Sequence, residues 1–588
     1  MTNESLVAKG NGVKYTAAGL LLLLIFLFIY YFCHSSGGGT GKSSSNKGPL
    51  KAPHGIEIID INGDSLNVPV ARVYLIDPED KVVSANEVAF DTVEITDGVM
   101  SVGLLPDAVF SEESPYRYSI RVEADGYATV LKTIVITRDV PNYIPVYMAK
   151  LDNLPSGSRI AGKSGAISSV NNGLLSENVT LEISADAPNK PLPLTITFDA
   201  GTRFLANGAP ITQEGPVEYR LLLGAPYDNQ ANRLFPGGFL MNDGINPNGD
   251  TITPANPRYL TTAGWFSLEM SVRGIKVDGF SNPVRVNMGV EPKVKNPATD
   301  SSIQSGKKVP IWSLNYETGV WQNDSAAQVG NDYTVDFSIT HLSLWTLSYT
   351  TGICGVVPVT YVDGTGGFSG SRYTRLMDAS NGSELQAALI DFDAPPTRVL
   401  NINKFPTSKQ ATLIVYEGAS AATAPFGNSV EGQFLSCQSA CNCLVRNTAV
   451  TAPCKFQLKF QRTTSTGTVL PVFTQNSVWY KAPCSAPLFN FAGVVGSATG
   501  IVKVPYPSGP FCVRVWFLHG GSARYLDFPL NPTLVPGSYT GTIAASSPTG
   551  WYFTSGVPTQ FDYAIQNAAC PGTNRIVTIT LRNGSPSI

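Results

Sequence analysis

YRYSIRVEADGY, residues 116–127, places Tyr116, Tyr118, Ile120 and Val122 in strict alternation and closes on Asp125-Gly126. Period-two alternation puts one set of side chains on a buried face, the signature of a half-buried strand. Similar runs surround it: GIEIIDI at 55–61, ARVYLID at 71–77, TVLKTIVIT at 129–137 and NYIPVYMAKL at 142–151. Turn residues separate them at Asn62-Gly63-Asp64 and Asp77-Pro78. Outward from here the chain keeps the same style. It holds 55 Gly and 42 Pro in 588 residues, and long stretches of 3.6-residue periodicity are hard to find. The reading is all-β, with tandem β-sandwich domains on a single N-terminal transmembrane helix.

A single core stops growing near ~250 to 300 residues, so several domains are expected. Lys and Arg number 41 against 44 Asp and Glu, with no dense basic run to neutralise a phosphate backbone, so nucleic acid is excluded as a partner. After a short tail at 1–14, residues 15–34 supply the membrane span: Tyr15 to Cys33 carries no charge and would cover roughly 28 Å as a helix, close to a bilayer's ~30 Å core. Tyr30, Tyr31 and Phe32 argue against cleavage after the apolar run, and equally against lipidation of Cys33. The lipid bilayer is thus an expected partner, the localisation single-pass with the C-terminal bulk extracytoplasmic. Residues 35–53, rich in Gly, Ser and Lys, form a tether. The GGGTGKS within it is no P-loop, because Ser36 stands where the motif needs its first Gly and no strand precedes it.

The expected domains are then 54–152, 153–352, 353–450 and 451–588. In the first, the EADGY ending at 123–127 resembles the carboxypeptidase regulatory-like family, which implies a transthyretin-like β-sandwich with an accessory role and no peptidase activity. In the second, the ordered series FPGG, TTAGWFSLEM, VPIWSLNYETGVWQ and ITHLSLW resembles cell-surface proteins of Bacteroidota type, and more distantly cartilage intermediate layer protein and the ankyrin and netrin-receptor β-sandwich. Tyr333, Val335, Phe337, Ile339 and His341 alternate on one face of a strand there. In the third, SELQAALID at 383–391 reads as a short helix, with Ser383 or Asn381 available as its cap.

Enzymatic chemistry leaves constellations, and few are present. The four histidines, His34, His54 at a domain edge, His341 and His519, share no metal-ligand spacing. GFSGS at 367–371 fails the nucleophile-elbow pattern at its last position. A dispersed carboxylate pair for glycoside hydrolysis stays open, since such groups meet only in the fold. For calcium the best candidate is NDGINPNGD, with oxygens from Asp243, Asn246, Asn248 and Asp250, although its spacing is not that of an EF-hand. Eight cysteines, Cys354, Cys437, Cys441, Cys443, Cys454, Cys484, Cys512 and Cys570, form an even set that suits disulfides better than a zinc module. Asn178, Asn323, Asn381 and Asn583 head glycan sequons. Trp312 and Trp321 flank a turn at 315–319 and, with Trp345, are either a framework or an aromatic platform. No catalytic residue and no cofactor is assigned, and the expected role is non-catalytic binding of an unknown protein or glycan, adhesion or structure, with a hydrolase or a mechanical spacer as alternatives.

Overall fold

The computed structural model describes residues 49–354, apart from 63–69, 96–97, 112–113, 171–172, 185–191, 247–248 and 254–255; beyond 354 it describes strands and short flanks within 357–415 and 455–581. The described chain is nearly all β, arranged in several sheets. Among the described residues the α-helix is the five-residue Asn229–Arg233, capped by Asp228, whose carboxylate accepts from the Ala231 N–H. At ~1.5 Å per residue such a helix is far too short for a bilayer. No helix among the described residues is long and apolar enough to cross a membrane. This finding corrects the expected single-pass membrane localisation; residues 15–34, to which the span was assigned, lie outside the described residues.

The first sandwich follows the alternation of the sequence. One sheet has the order Val82–Ser84, Val99–Leu104, Lys51–Asp60, Asn142–Met148, the last two strands running parallel. The facing sheet runs Thr92–Ile95, Ala71–Ile76, Tyr116–Ala124, Val130–Ile136. Tyr116, Tyr118, Ile120 and Val122 all enter the core between them. His54 corrects its assignment to a domain edge. It is fully buried, one ring nitrogen 2.7 Å from the Ala52 carbonyl and the other against the Tyr118 hydroxyl, because it shares the phase of Ile56 and Ile58. Burial outweighs the Ala52 hydrogen bond and lowers its pKa to about 4, so it is neutral at ordinary pH.

The other face of the first sheet is also covered. Glu57, Ser101 and Tyr143 lie on the face away from Ile56 and Ile58, and Tyr373 and Trp479 pack over Tyr143 at ring-centroid distances of 5.2 and 6.0 Å. The Ser477 N–H donates to Ser101 Oγ at 2.9 Å, and Trp479 Nε1 donates to Ser477 Oγ at 2.8 Å. The strands Ser477–Lys481, Phe511–His519 and Ser522–Leu530 extend the facing sheet, Ser522 pairing with Glu94.

The second region holds a ten-stranded sheet and a six-stranded sheet, with a core between them that includes Phe198, Phe266, Val286 and Trp345. The long strand Arg258–Val272 lies centrally, between Gly215–Gly224 and Leu344–Thr351. Gly224 faces Trp265, whose indole would lie 2.3 Å from any Cβ at that position, so no side chain fits there. In Thr334–His341, Val335 and Ile339 are buried and Asp336, Ser338 and Thr340 exposed.

SELQAALID corrects the expectation of a helix. Glu384–Asp391 is a strand, antiparallel to Ser371–Asp378, with Arg372 opposite Ile390 and Thr374 opposite Ala388. A nonlocal partner overrides the local helix propensity. Cys354 and Cys512 are each disulfide-bonded; the other six candidate cysteines, and the cap candidates Asn381 and Ser383, lie outside the described residues.

Candidate functional site

The two strands of VPIWSLNYETGVWQ form a hairpin, Lys308–Leu314 against Trp321–Gln328. A register shift between Ile311 and Trp312 places Trp312 opposite Asn323, and Trp321 opposite Leu314. The two indoles are therefore not a cross-strand pair. Trp312, Trp321 and Trp345 are each only 2% exposed. Trp312 Nε1 donates to the Ser348 carbonyl at 3.1 Å, while Trp321 stacks on Phe235 at 5.8 Å and 15°. No ring face is left for a ligand.

What Trp312 and Trp321 frame is a seam. Trp312, Trp321, Phe235, Phe239 and Leu314 from the second region share one hydrophobic cluster with Ile61, Ala128, Leu131, Ala149 and Leu151 from the first. The Gly237 N–H donates to the Leu131 carbonyl at 2.7 Å. The hairpin loop is closed by Asn315, whose Oδ1 accepts from the Glu317 and Thr318 N–H groups at 2.8 and 3.0 Å. Gly319 ends it at φ 72°, and a Cβ there would meet Ser119 Oγ of the first sandwich at 3.0 Å. The left-handed backbone favours glycine there, and the near Ser119 side chain leaves little room for a larger residue.

Polar clamps cross the same seam. Glu269 accepts the Thr129 N–H and hydroxyl, each at 2.8 Å, one on each carboxylate oxygen, and Arg220 lies 3.8 Å away on the neighbouring strand. Burial raises the Glu269 pKa against the opposing pull of Thr129 and Arg220. On the rim, Glu317 bridges Arg121 at 2.5 Å and Lys276 at 2.8 Å. Burial pushes its carboxyl up, but the two cations together prevail and its pKa lies below the usual range. Exposed ion pairs contribute about 0 to 1 kcal/mol, whereas each large apolar side chain in the seam contributes about 1.5 to 3. The apolar cluster thus holds the seam, and the clamps set its alignment.

Beside the clamps opens a cleft of about 930 Å³, walled by Glu123 and Thr129 of the first sandwich and by Glu218, Arg220, Glu269, Lys276, Glu317, Gln322 and His341 of the second region. Two tight hairpins shape its edge. Asn207-Gly208 and Arg273-Gly274 have positive φ at both residues, the type I′ geometry that matches strand twist. Ile275 and Leu342, both half-buried, are the apolar side chains at its surface. The sequence singled out His341, which the structure sets in this wall with its ring centroid 4.8 Å from that of Trp345; burial lowers its pKa and Asp324 partly restores it. The cleft carboxylates went unmarked because their contributing segments run from 123 to 342. Asn207-Gly208 was the one local signal, a dipeptide that announces a hairpin.

The calcium candidates Asp243, Asn246, Asn248 and Asp250 fall in one stretch of the chain. Asn248 lies outside the described residues, the Asp243 carbonyl accepts the Trp321 N–H at 3.2 Å, and the Asn246 N–H donates to the Asp250 carbonyl at 2.8 Å. No group of three or more His, Cys, Asp or Glu that could hold a metal occurs among the described residues.

No family model matches the chain, so the resemblances noted above rest on their motifs. No curated protein matches it. Among solved structures, a variant of BcpA, the major pilin subunit of Bacillus cereus, is 9% identical, over 67% of this chain and 98% of its own, with a TM-score of 0.13. The Bacillus anthracis TIE protein is 8% identical over 87% and 76%, TM-score 0.12. The RrgB pilus protein from Streptococcus pneumoniae is 8% identical over 80% and 91%, TM-score 0.12. Likenesses this low carry no argument about activity.

Proposed function

We propose that the protein is a non-catalytic scaffold with a structural or adhesive role, in which the first sandwich and the second region act as one rigid body. The observation that supports this is the seam. A core shared across it, with glycine-tight packing at Gly319 and carboxylates whose oxygens are already engaged, suits a fixed arrangement better than independent modules, which meet through smaller and more polar interfaces. Hydrogen exchange on the full chain in increasing urea tests it. Peptides covering 116–124 and 258–272 are expected to lose protection at one midpoint; two separate midpoints would overturn rigid coupling. Within the seam, Glu269→Ala should lower that midpoint by the equivalent of about 1 to 3 kcal/mol, since it strands the Thr129 N–H. Glu317→Ala, on the rim, should change it by less than about 1 kcal/mol.

A second reading draws on one observation. Glu269 and Glu317 line a single cleft with pKa values displaced in opposite senses, the pattern of an acid and base pair. Against it, both carboxylates are held by intramolecular partners. Release of reducing sugar from polysaccharides, lost in both Glu269→Gln and Glu317→Gln, would replace the scaffold by a hydrolase.

A further inference from the structure

We propose that the seam cleft binds a neutral, hydroxyl-rich ligand, a saccharide chain. Its volume of about 930 Å³ lies within the roughly 300 to 1,000 Å³ of small-molecule sites. Three of its carboxylates are compensated internally: Lys276 meets Glu317 at 2.8 Å, Arg220 approaches Glu269 at 3.8 Å, and Glu123 meets Arg121 at 3.0 Å. Glu218 accepts from Ser271 at 3.5 Å, and Asp278 accepts the Asn207 N–H. An anion would face Glu218 and Asp278, which accept from neutral donors, and at Glu123, Glu269 and Glu317 a cation would have to compete with lysine and arginine already in place. A hydroxyl need displace neither. Each carboxylate oxygen keeps acceptor capacity beyond the bond it makes, so sugar hydroxyls donate into pairs that remain intact.

The rest of the lining fits the same class. Gln322 and Asn207 are exposed at the cleft, and an amide both donates and accepts, as a hydroxyl does. Ile275 and Leu342, half-buried at the cleft, offer apolar contact to the C–H face of a pyranose. The type I′ turn holds Asn207 at φ 51°, so Asn207→Gly removes the amide while keeping the turn. The proposal goes beyond the scaffold reading and does not depend on it, because binding and coupled unfolding are read by different measurements.

The test is a glycan array probed with the full chain, carrying neutral, uronic-acid and amino-sugar oligosaccharides, followed by calorimetric titration of the best neutral binder. Binding of neutral members is expected, nearly unchanged between about 0.05 and 0.5 M salt, over which ionic contacts are strongly screened. Asn207→Gly and Gln322→Ala should each weaken it by about tenfold, the loss of one hydrogen bond, with melting unaltered. An array that captures no neutral glycan, capture of charged glycans alone, or parental affinity in both variants would overturn the assignment. Binding lost without any change in coupled unfolding would leave the scaffold reading untouched.

Discussion

Trp321→Ala should destabilise the first sandwich and the second region together, by about 3 to 5 kcal/mol, the cost of truncating a large buried aromatic. The ring stacks on Phe235 within the cluster that also holds Leu131 and Leu151 of the first sandwich. Its loss opens a cavity on both sides of the seam. Against a total stability of about 5 to 15 kcal/mol, that removes a large fraction of the margin. Trp312→Ala should cost at least as much, because it also strips the Ser348 carbonyl of its indole donor. Trp321→Phe, which keeps a ring against Phe235, should recover a good part of the loss. Urea denaturation of the full chain, followed at 116–124 and 258–272 by hydrogen exchange, checks this. Melting of both alanine variants within about 2 °C of the parent would show that the indoles are not structural.

Glu57 sets a dependence on pH. It is fully buried on the outward face of the first sheet; burial pushes its pKa up from 4.5 to about 8, with the Tyr143 hydroxyl pulling the other way. Between those values the unfolded chain has lost the proton and the native chain keeps it. The native state therefore binds more protons, and stability falls as pH rises through this window. His54 works oppositely. Its pKa is lowered from 6.5 to about 4, so from pH 4 to 6.5 the unfolded state binds more protons and stability rises with pH. Where the windows overlap the two slopes nearly cancel. These two groups together should thus contribute a flat profile from about pH 4.5 to 6.5 and a loss of about 2 kcal/mol from 6.5 to 8, at ~1.4 kcal/mol per pH unit; the Glu57 part is read as the difference between the parent and Glu57→Gln. Glu57→Gln should rise to about pH 6.5 and stay level above it, the glutamine carbonyl still accepting from Tyr143. Urea midpoints across this range decide; an identical alkaline decline in the variant would remove Glu57 from the account.

Strands were legible wherever a buried face alternated with a wet one, as in Tyr116–Ala124 and Thr334–His341. The hairpin around Asn315 was legible too, from its turn residues. Whether its tryptophans were platform or framework turned on the partner surface, Leu131 and Leu151, which lies more than a hundred residues upstream and leaves no mark in the local pattern. SELQAALID failed for the same reason. Its helix-favouring residues are outweighed by pairing with Ser371–Asp378, and such pairing is decided in three dimensions. The cleft was least legible, since sheet edges and loops from several segments build it and each residue alone resembles a solvated turn. His54 could have been placed: the phase it shares with Ile56 and Ile58 was there to read.

The cover over the first sheet bears on how the chain is made. Ser101 and its partner Ser477 are 376 residues apart, so the outward face that carries Glu57 and Tyr143 is synthesised long before the strands that bury it. At about 5 to 20 residues per second, a ribosome needs roughly 20 to 75 s to deliver them. During that interval the nascent first sandwich can close its inner core but must leave a hydrogen-bonding, aromatic face open to water. With that face wet, Glu57 has its ordinary pKa of 4.5, and burial raises it to about 8, so between those pH values covering the face favours its reprotonation. Completion of the fold thus takes up a proton, and it competes with any other strand, from this chain or a neighbouring nascent one, that reaches the face first.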